Sequence, residues 1–454
     1  MIPLNLEYIA EVTSGTLVGV NATVTGVACD SRKVERGALF VALRGRRTDG
    51  HNHVVGAVEK GAVAALVERN GTYGCPYILV RDTVEAIGQM ARMHLLRHPT
   101  RVVAITGSMG KTSTKEMTAA ALATRFSVFR SMGNLNTEIG LPISVLHHTD
   151  EEVMVLEMAM RGPGQIAELA RIAPADVAVI TNIGESHLEV MGTRGAIAAA
   201  KGEILSGMKL GGTAVLNRDD DYYEYLASLA QGPIISFGYH ADADYRIADV
   251  KPMEGGHYLC RVVTGTESIM LRTPWPGLHN VNNAVAALVT AGVMGVALKT
   301  AVAGIEECPA TPGRLRVLQL AQGVTVIDDT YNASPAATLS ALSTLAEMPT
   351  LGRRIAVLGD MLELGTREQE AHEEVAAKAA EVCDMVITVG RLATRIADVC
   401  ADKDIPAHRF TDRAGVAKFL LHVLEPGDLV LIKGSRGIGL EDVVTALFDG
   451  QGKE

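Results

Sequence analysis

One eleven-residue stretch constrains this chain more than any other: Val103-Ala104-Ile105-Thr106-Gly107-Ser108-Met109-Gly110-Lys111-Thr112-Ser113. It passes from an apolar strand through a glycine-rich turn into Lys-Thr and an alanine-rich helix. Glycines let the backbone curl so that several N–H groups point at one anion. The helix dipole and Lys111 add positive charge, and Thr112 offers a hydroxyl to the magnesium of a bound nucleotide. The turn is the shorter Gly-x-x-Gly-Lys-Thr form, since the longer phosphate-loop pattern would need a glycine at Ile105. Strand, turn and helix in this order predict an open α/β sheet with a nucleotide at the carboxyl ends of its strands. Gly107, Ser108, Met109, Gly110, Lys111, Thr112 and Ser113 are therefore the candidate ATP phosphate site.

At 454 residues, and roughly 150 per domain, the chain has room for about three domains. A hydrophobic share of 48% with 21% charged residues suits packed cores rather than disorder. Asp plus Glu (52) exceed Lys plus Arg (42), and the formal net charge of −10 argues against nucleic acid as the main partner. The amino terminus lacks a basic segment followed by an apolar one, so no secretory signal is expected. The apolar stretch 284–298 has 15 residues and contains Thr290, Gly292 and Gly295. A membrane span needs about 20, so it reads as a buried helix. Six cysteines without a Cys-x-x-Cys pair fit small core residues in a reducing compartment. A cytoplasmic, soluble, monomeric multidomain protein without a membrane span is the expectation.

Short strands at 24–28, 38–43, 62–67 and 77–80 alternate with helical stretches at 54–60 and 84–97, until His98-Pro99-Thr100 marks a boundary. From 101, strands at 101–106, 153–158, 177–183 and 213–216 alternate with helical patterns, the signature of a parallel sheet. A polar segment over 234–272 reads as an antiparallel edge. Pro309-Ala310-Thr311-Pro312-Gly313 reads as a hinge. Beyond it, strands at 324–328, 355–358, 385–389 and 429–433 alternate with helices at 336–347, 367–382, 393–399 and 414–424, a second doubly wound sheet. The charged run at 367–374 reads as a solvated helix face, with His372 no ligand. The domains predicted are 1–98, 99–312 and 313–454, all α/β.

Glu157 and His187 follow strands of the central block, at the edge where Thr112 is expected. Together they could hold a divalent ion. Because magnesium prefers oxygen ligands, the histidine suggests a second site that also accepts manganese. Taken alone, such residues are more often a buried ion pair or a surface histidine; the phosphate loop beside them tips the reading toward metal. Lys201, one charge on an alanine-rich helix, reads by spacing as a solvated lysine.

The segments Thr106-Gly107-Ser108-Met109-Gly110-Lys111-Thr112, Ile180-Thr181-Asn182-Ile183-Gly184-Glu185-Ser186-His187, Ala200-Lys201-Gly202-Glu203 and Gly277-Leu278-His279-Asn280-Val281-Asn282-Asn283-Ala284 occur in this order. Together they resemble the Mur ligases, ATP-dependent amide ligases of peptidoglycan synthesis, and the likeness extends over both flanks. Asp30-Ser31-Arg32, Gly133-Asn134-Leu135-Asn136-Thr137-Glu138, Asp328-Asp329-Thr330-Tyr331-Asn332, Leu358-Gly359-Asp360-Met361-Leu362-Glu363-Leu364-Gly365 and Lys433-Gly434-Ser435-Arg436 resemble the MurF type within that family. The Asp-Asn-Pro-Arg signature of the diaminopimelate-adding branch is absent. Ser334, where asparagine is more usual, and Met158-Ala159-Met160-Arg161 depart from the pattern.

The resemblance implies a small α/β UDP-substrate domain, a central P-loop-type doubly wound ATP-binding domain and a C-terminal Rossmann-like domain. It implies ATP and two magnesium ions, with Thr112, Glu157, His187 and a carbamylated Lys201 as metal ligands, and Lys111, Lys201 and His187 as catalytic residues. Asn280, Asn283, Arg314 and Asp329 join the ATP site by the same likeness. Ser31, Arg32, Asn134, Asn136, Thr137, Tyr331 and Asn332 join the sites for UDP-N-acetylmuramoyl tripeptide and D-alanyl-D-alanine. The competing readings are another Mur-type or folylpolyglutamate-type amide ligase, a P-loop kinase, and a nucleotide switch without ligase activity.

Overall fold

The computed structural model describes residues 1–45, 48–265 and 267–449; the last five residues of the expected third domain lie outside that range. At the centre is a nine-stranded sheet in the order 268–272, 258–263, 245–252, 234–238, 213–217, 177–180, 101–106, 153–157 and 128–130. Arg101–Thr106 pairs in parallel with both Val153–Glu157 and Val177–Ile180, placing Glu157 opposite Ile105 and Ile180 opposite Thr106. Alternation along the strand sends Val103 and Ile105 into one core and Val102 and Ala104 into another. A strand buried on both faces needs this unbroken apolar run.

Ile234–Gly238, expected in the antiparallel edge, instead pairs in parallel with Thr213–Asn217. The helix Tyr223–Leu229 between them completes one more crossover unit. The antiparallel edge begins with Tyr258–Val263 and Ser268–Arg272. The apolar stretch 284–298 is likewise two elements. His279–Val293 ends where Gly295 adopts φ 86°, and Leu298–Glu306 starts a new helix. Among the described residues no helix is long and apolar enough to cross a membrane.

The N-terminal sheet pairs Gly26–Ala28, Ala38–Val41, Ala64–Val67 and Tyr77–Leu79 in parallel, with Thr16–Val18 antiparallel at one edge. Its inner face and the helix Thr83–Arg97 share one continuous core with the central sheet. The C-terminal sheet runs 316–319, 325–329, 429–433, 354–359, 385–389 and 407–410, with only Arg316–Gln319 antiparallel. Its cores draw solely on residues beyond the hinge. The helix Glu368–Val382 is not a solvated face throughout: His372 is 1% exposed. Its Nε2 accepts from the Met361 amide at 3.1 Å, and Nδ1 meets the Glu368 carbonyl at 2.7 Å. Surrounding charges hid this inward position from a reading by composition.

Candidate active site

Strand ends Thr106, Glu157 and Ile180 bring the loop 107–110, Glu157 and the segment 181–187 to one edge of the central sheet. Gly110 precedes the helix Lys111–Ala123 in a left-handed conformation, φ 77°. A side chain there would place Cβ 2.2 Å from Asn283 Oδ1, so only glycine lets the loop close against the helix His279–Val293. The loop is clamped from the next strand. The Met109 amide donates to Asn182 Oδ1 at 3.0 Å, and Asn182 Nδ2 and Thr181 Oγ1 donate to the Met109 carbonyl at 3.1 and 2.5 Å. Lys111 folds back, Nζ lying 2.8 Å from the Gly107 carbonyl and 3.2 Å from that of Ser108. These are contacts an incoming phosphate would replace.

Glu157 is 3% exposed and fully engaged: Thr112 Oγ1 donates to Oε2 at 2.8 Å and Asn136 Nδ2 to Oε1 at 2.7 Å. Arg314 extends from beyond the hinge to Thr112 Oγ1 at 3.4 Å, its guanidinium 3.9 Å above the Tyr331 ring. Its Nε is buried without a partner. Lys201 is 1% exposed rather than solvated, and among the described residues no hydrogen bond or ion pair holds its Nζ. Desolvation first, then the Lys111 charge, drive its affinity for a proton well below the ordinary lysine value, with Glu157 opposing. Desolvation, Lys201 and Lys111 also lower the His187 imidazole. The four candidates Lys111, Glu157, His187 and Lys201 thus share one electrostatic neighbourhood.

Asn283 Nδ2 donates to Asn280 Oδ1 at 2.9 Å, and Thr114 Oγ1 donates to Asn283 Oδ1 at 3.3 Å. Beyond the hinge, Asp329 Oδ2 takes a 2.5 Å contact from Lys433 Nζ, which also reaches the Asn332 carbonyl at 2.9 Å. The guanidinia of Arg314 and Arg436 stand 3.9 and 5.4 Å from the centre of the Tyr331 ring. Asn136 meets Glu157, whereas Asn134 is exposed and Thr137 Oγ1 lies 3.5 Å from the Gly140 amide at the start of the helix Gly140–Leu146. Ser31 and exposed Arg32 lie on the N-terminal domain, and no described contact joins them to the phosphate loop. Arg32 forks onto Asp30, Nε at 3.0 Å and a terminal nitrogen at 2.9 Å, holding that carboxyl down to about 2. Asn182, Thr181 and Lys433 join the site without standing among the residues expected to form it. Their position directly after a buried parallel strand, or at its end, is the signal that could have found them.

Comparison with known proteins agrees with this geometry. Residues 23–99 match the Mur ligase family catalytic domain, 105–291 the Mur ligase middle domain, and 313–436 the Mur ligase glutamate ligase domain. The chain is 37% identical to the UDP-N-acetylmuramoyl-tripeptide–D-alanyl-D-alanine ligase of Bacillus subtilis (strain 168), over 99% of each chain. It is 36% identical to that of Escherichia coli (strain K12), over 98% of this chain and 99% of the other. A crystal structure of MurF from Acinetobacter baumannii superposes with TM-score 0.90 at 30% identity, covering 98% of this chain and 99% of that one. MurF from Thermotoga maritima in complex with ADP gives 0.82 at 32% identity, over 95% and 98%. A folylpolyglutamate synthase of Mycobacterium tuberculosis, 19% identical with TM-score 0.62, shares the fold. The chain belongs to the Mur ligase family and, within it, to the MurF type.

Proposed function

We propose that this chain joins D-alanyl-D-alanine to UDP-N-acetylmuramoyl tripeptide with cleavage of ATP to ADP and phosphate, forming UDP-N-acetylmuramoyl pentapeptide in the cytoplasm for peptidoglycan synthesis. Full-length identity of 37% with a ligase of that name carries the reading. In this scheme residues 1–98 hold the UDP-linked substrate, 99–312 hold ATP and 313–454 present the acceptor. The tripeptide's terminal carboxylate attacks the γ-phosphorus and ADP leaves, giving an acyl phosphate. The acceptor amine attacks the acyl carbon, loses a proton, and phosphate departs.

Two anions must meet for the first step, so positioned positive charge supplies most of the catalysis. Lys111 exchanges the Gly107 and Ser108 carbonyls for phosphate oxygens, and the amides of the loop and helix start add their dipoles. Arg314 already brings a second cation from beyond the hinge to Thr112, its unpartnered Nε available to a phosphate oxygen. Asn280 and Asn283 hold the nucleoside side, and Ser31 and Arg32 the UDP group.

The residues present suit magnesium. Among the described residues no three His, Cys, Asp or Glu side chains converge on one point, so an ion here needs the Thr112 hydroxyl, phosphate oxygens or a further anion beside Glu157 and His187. Lys201 can supply that anion. A buried amine without an acceptor, next to Lys111, favours its neutral form; it adds CO2 and releases a proton to become a carbamate, which Lys111 then balances. When bound, magnesium spreads the charge of the transferring phosphoryl group. Phosphate release that needs both the UDP-tripeptide and D-alanyl-D-alanine, with the pentapeptide product seen by mass, is the expected result. Release indifferent to the dipeptide would overturn the reading.

A further inference from the structure

The loop after the strand Arg354–Gly359 carries a carboxylate that the scheme above leaves unused. Glu363 is exposed and has a left-handed backbone, φ 64°. His187 shares that conformation, φ 66°. Side chains other than glycine hold it only where their surroundings impose it, and such residues gather at functional sites. The surroundings of Glu363 are fixed: the Leu362 amide donates to Ser435 Oγ at 2.9 Å and the Met361 amide to His372 Nε2 at 3.1 Å. Across the cleft Arg367 pairs with Glu185, and Gly365 packs against the Glu189 side chain. The two central-domain partners flank His187 on either side, so this docking seats Glu363 at the rim of the phosphate site.

The buried carboxylates at the strand ends of this edge are occupied. Asp328 accepts from the Gly313 amide and Thr330 Oγ1, Asp329 pairs with Lys433, and Asp360 accepts from the Ala393 amide. Glu157 is held by Thr112 and Asn136. Among the described residues no hydrogen bond or ion pair engages Glu363. An amino-group acceptor arrives as a cation, in a cleft already lined by the Lys111 and Arg314 side chains. An unpaired carboxylate on the acceptor side offsets that repulsion and gives a directional, charge-assisted contact.

We propose that Glu363 is an acceptor-binding residue, its carboxylate receiving the ammonium group of the incoming dipeptide at the rim of the cleft. The assignment rests on the ligase reading given above. Its test is the initial rate with each of the three substrates varied in turn, for wild type, Glu363→Gln and Glu363→Asp. Glu363→Gln should raise KM for D-alanyl-D-alanine by about tenfold, the loss of one charge-assisted contact, with KM for ATP and UDP-tripeptide within about twofold. Glu363→Asp, which keeps the charge, should recover part of that loss. An acceptor KM unchanged in Glu363→Gln, or three constants rising together with a lower unfolding temperature, would overturn the assignment while leaving the ligase reading intact. Wild-type protein that ligates no D-alanyl-D-alanine would instead overturn the ligase reading, and this assignment with it.

Discussion

Replacing Gly110 by alanine adds one methyl group at the most crowded point of the phosphate loop. The backbone there has φ 77°, a conformation that costs an L-residue about 1–2 kcal/mol. The new Cβ would lie 2.2 Å from Asn283 Oδ1, so the Asn283 amide has to move. It then gives up its bonds to Asn280 and Thr114, each worth about 1 kcal/mol. Together these make about 3–4 kcal/mol, or about 6–16 °C in the melting temperature of a domain of this size. If the loop shifts to relieve the strain, the same energy appears as weaker ATP binding, by about a hundredfold to a thousandfold. Gly164, with φ 81° and nothing within 4 Å of its would-be Cβ, separates the two causes. Gly164→Ala should cost only the about 1–2 kcal/mol of conformation. Thermal unfolding and calorimetric ADP titration read both quantities. Gly110→Ala with wild-type melting and wild-type ADP affinity would refute the reasoning.

Lys201→Met keeps the volume of a buried side chain and removes an amine with no acceptor, so stability at neutral pH should hold or rise. Turnover should fall by at least about a thousandfold, the scale of losing a main electrostatic element; turnover within tenfold of wild type would contradict the carbamate. His94 is 3% exposed, with Nε2 3.3 Å from His148 Nδ1. Burial first, then His148 and His98, push its imidazole down to about 4. The unfolded chain takes up that proton near 6.5, so between these values the unfolded state binds more protons. The contribution is complete above about pH 6.5 and is lost as pH falls toward 4, by about 3 kcal/mol. Urea unfolding across that window should show a shallower pH dependence in His94→Gln; an unchanged slope would count against it.

The strand Arg101–Thr106 and helix Lys111–Ala123 are legible because both their periods and the glycine turn between them are local. Glu157 is legible for the same reason, as a charge at the end of an apolar strand. The clamp of Asn182 on Met109 is not, because it joins residues 73 apart and a Thr-Asn pair after a strand looks like any turn. Lys201 is hidden differently: an alanine-rich helix carries one lysine whether it faces water or a cleft, and only the packing of the helix Arg194–Ser206 tells which. Gly295 stands in the sequence without marking a helix end, since the hydrophobic run continues through it.

The central claim is that the tripeptide carboxylate is activated by phosphorylation in the cleft around Lys111. Labelling both oxygens of that carboxylate with ¹⁸O and analysing the released phosphate tests it directly. One labelled oxygen in every phosphate, with the other retained in the new amide, is the predicted result. Phosphate free of label would mean that the carboxylate never attacked the γ-phosphorus, and the account would fall.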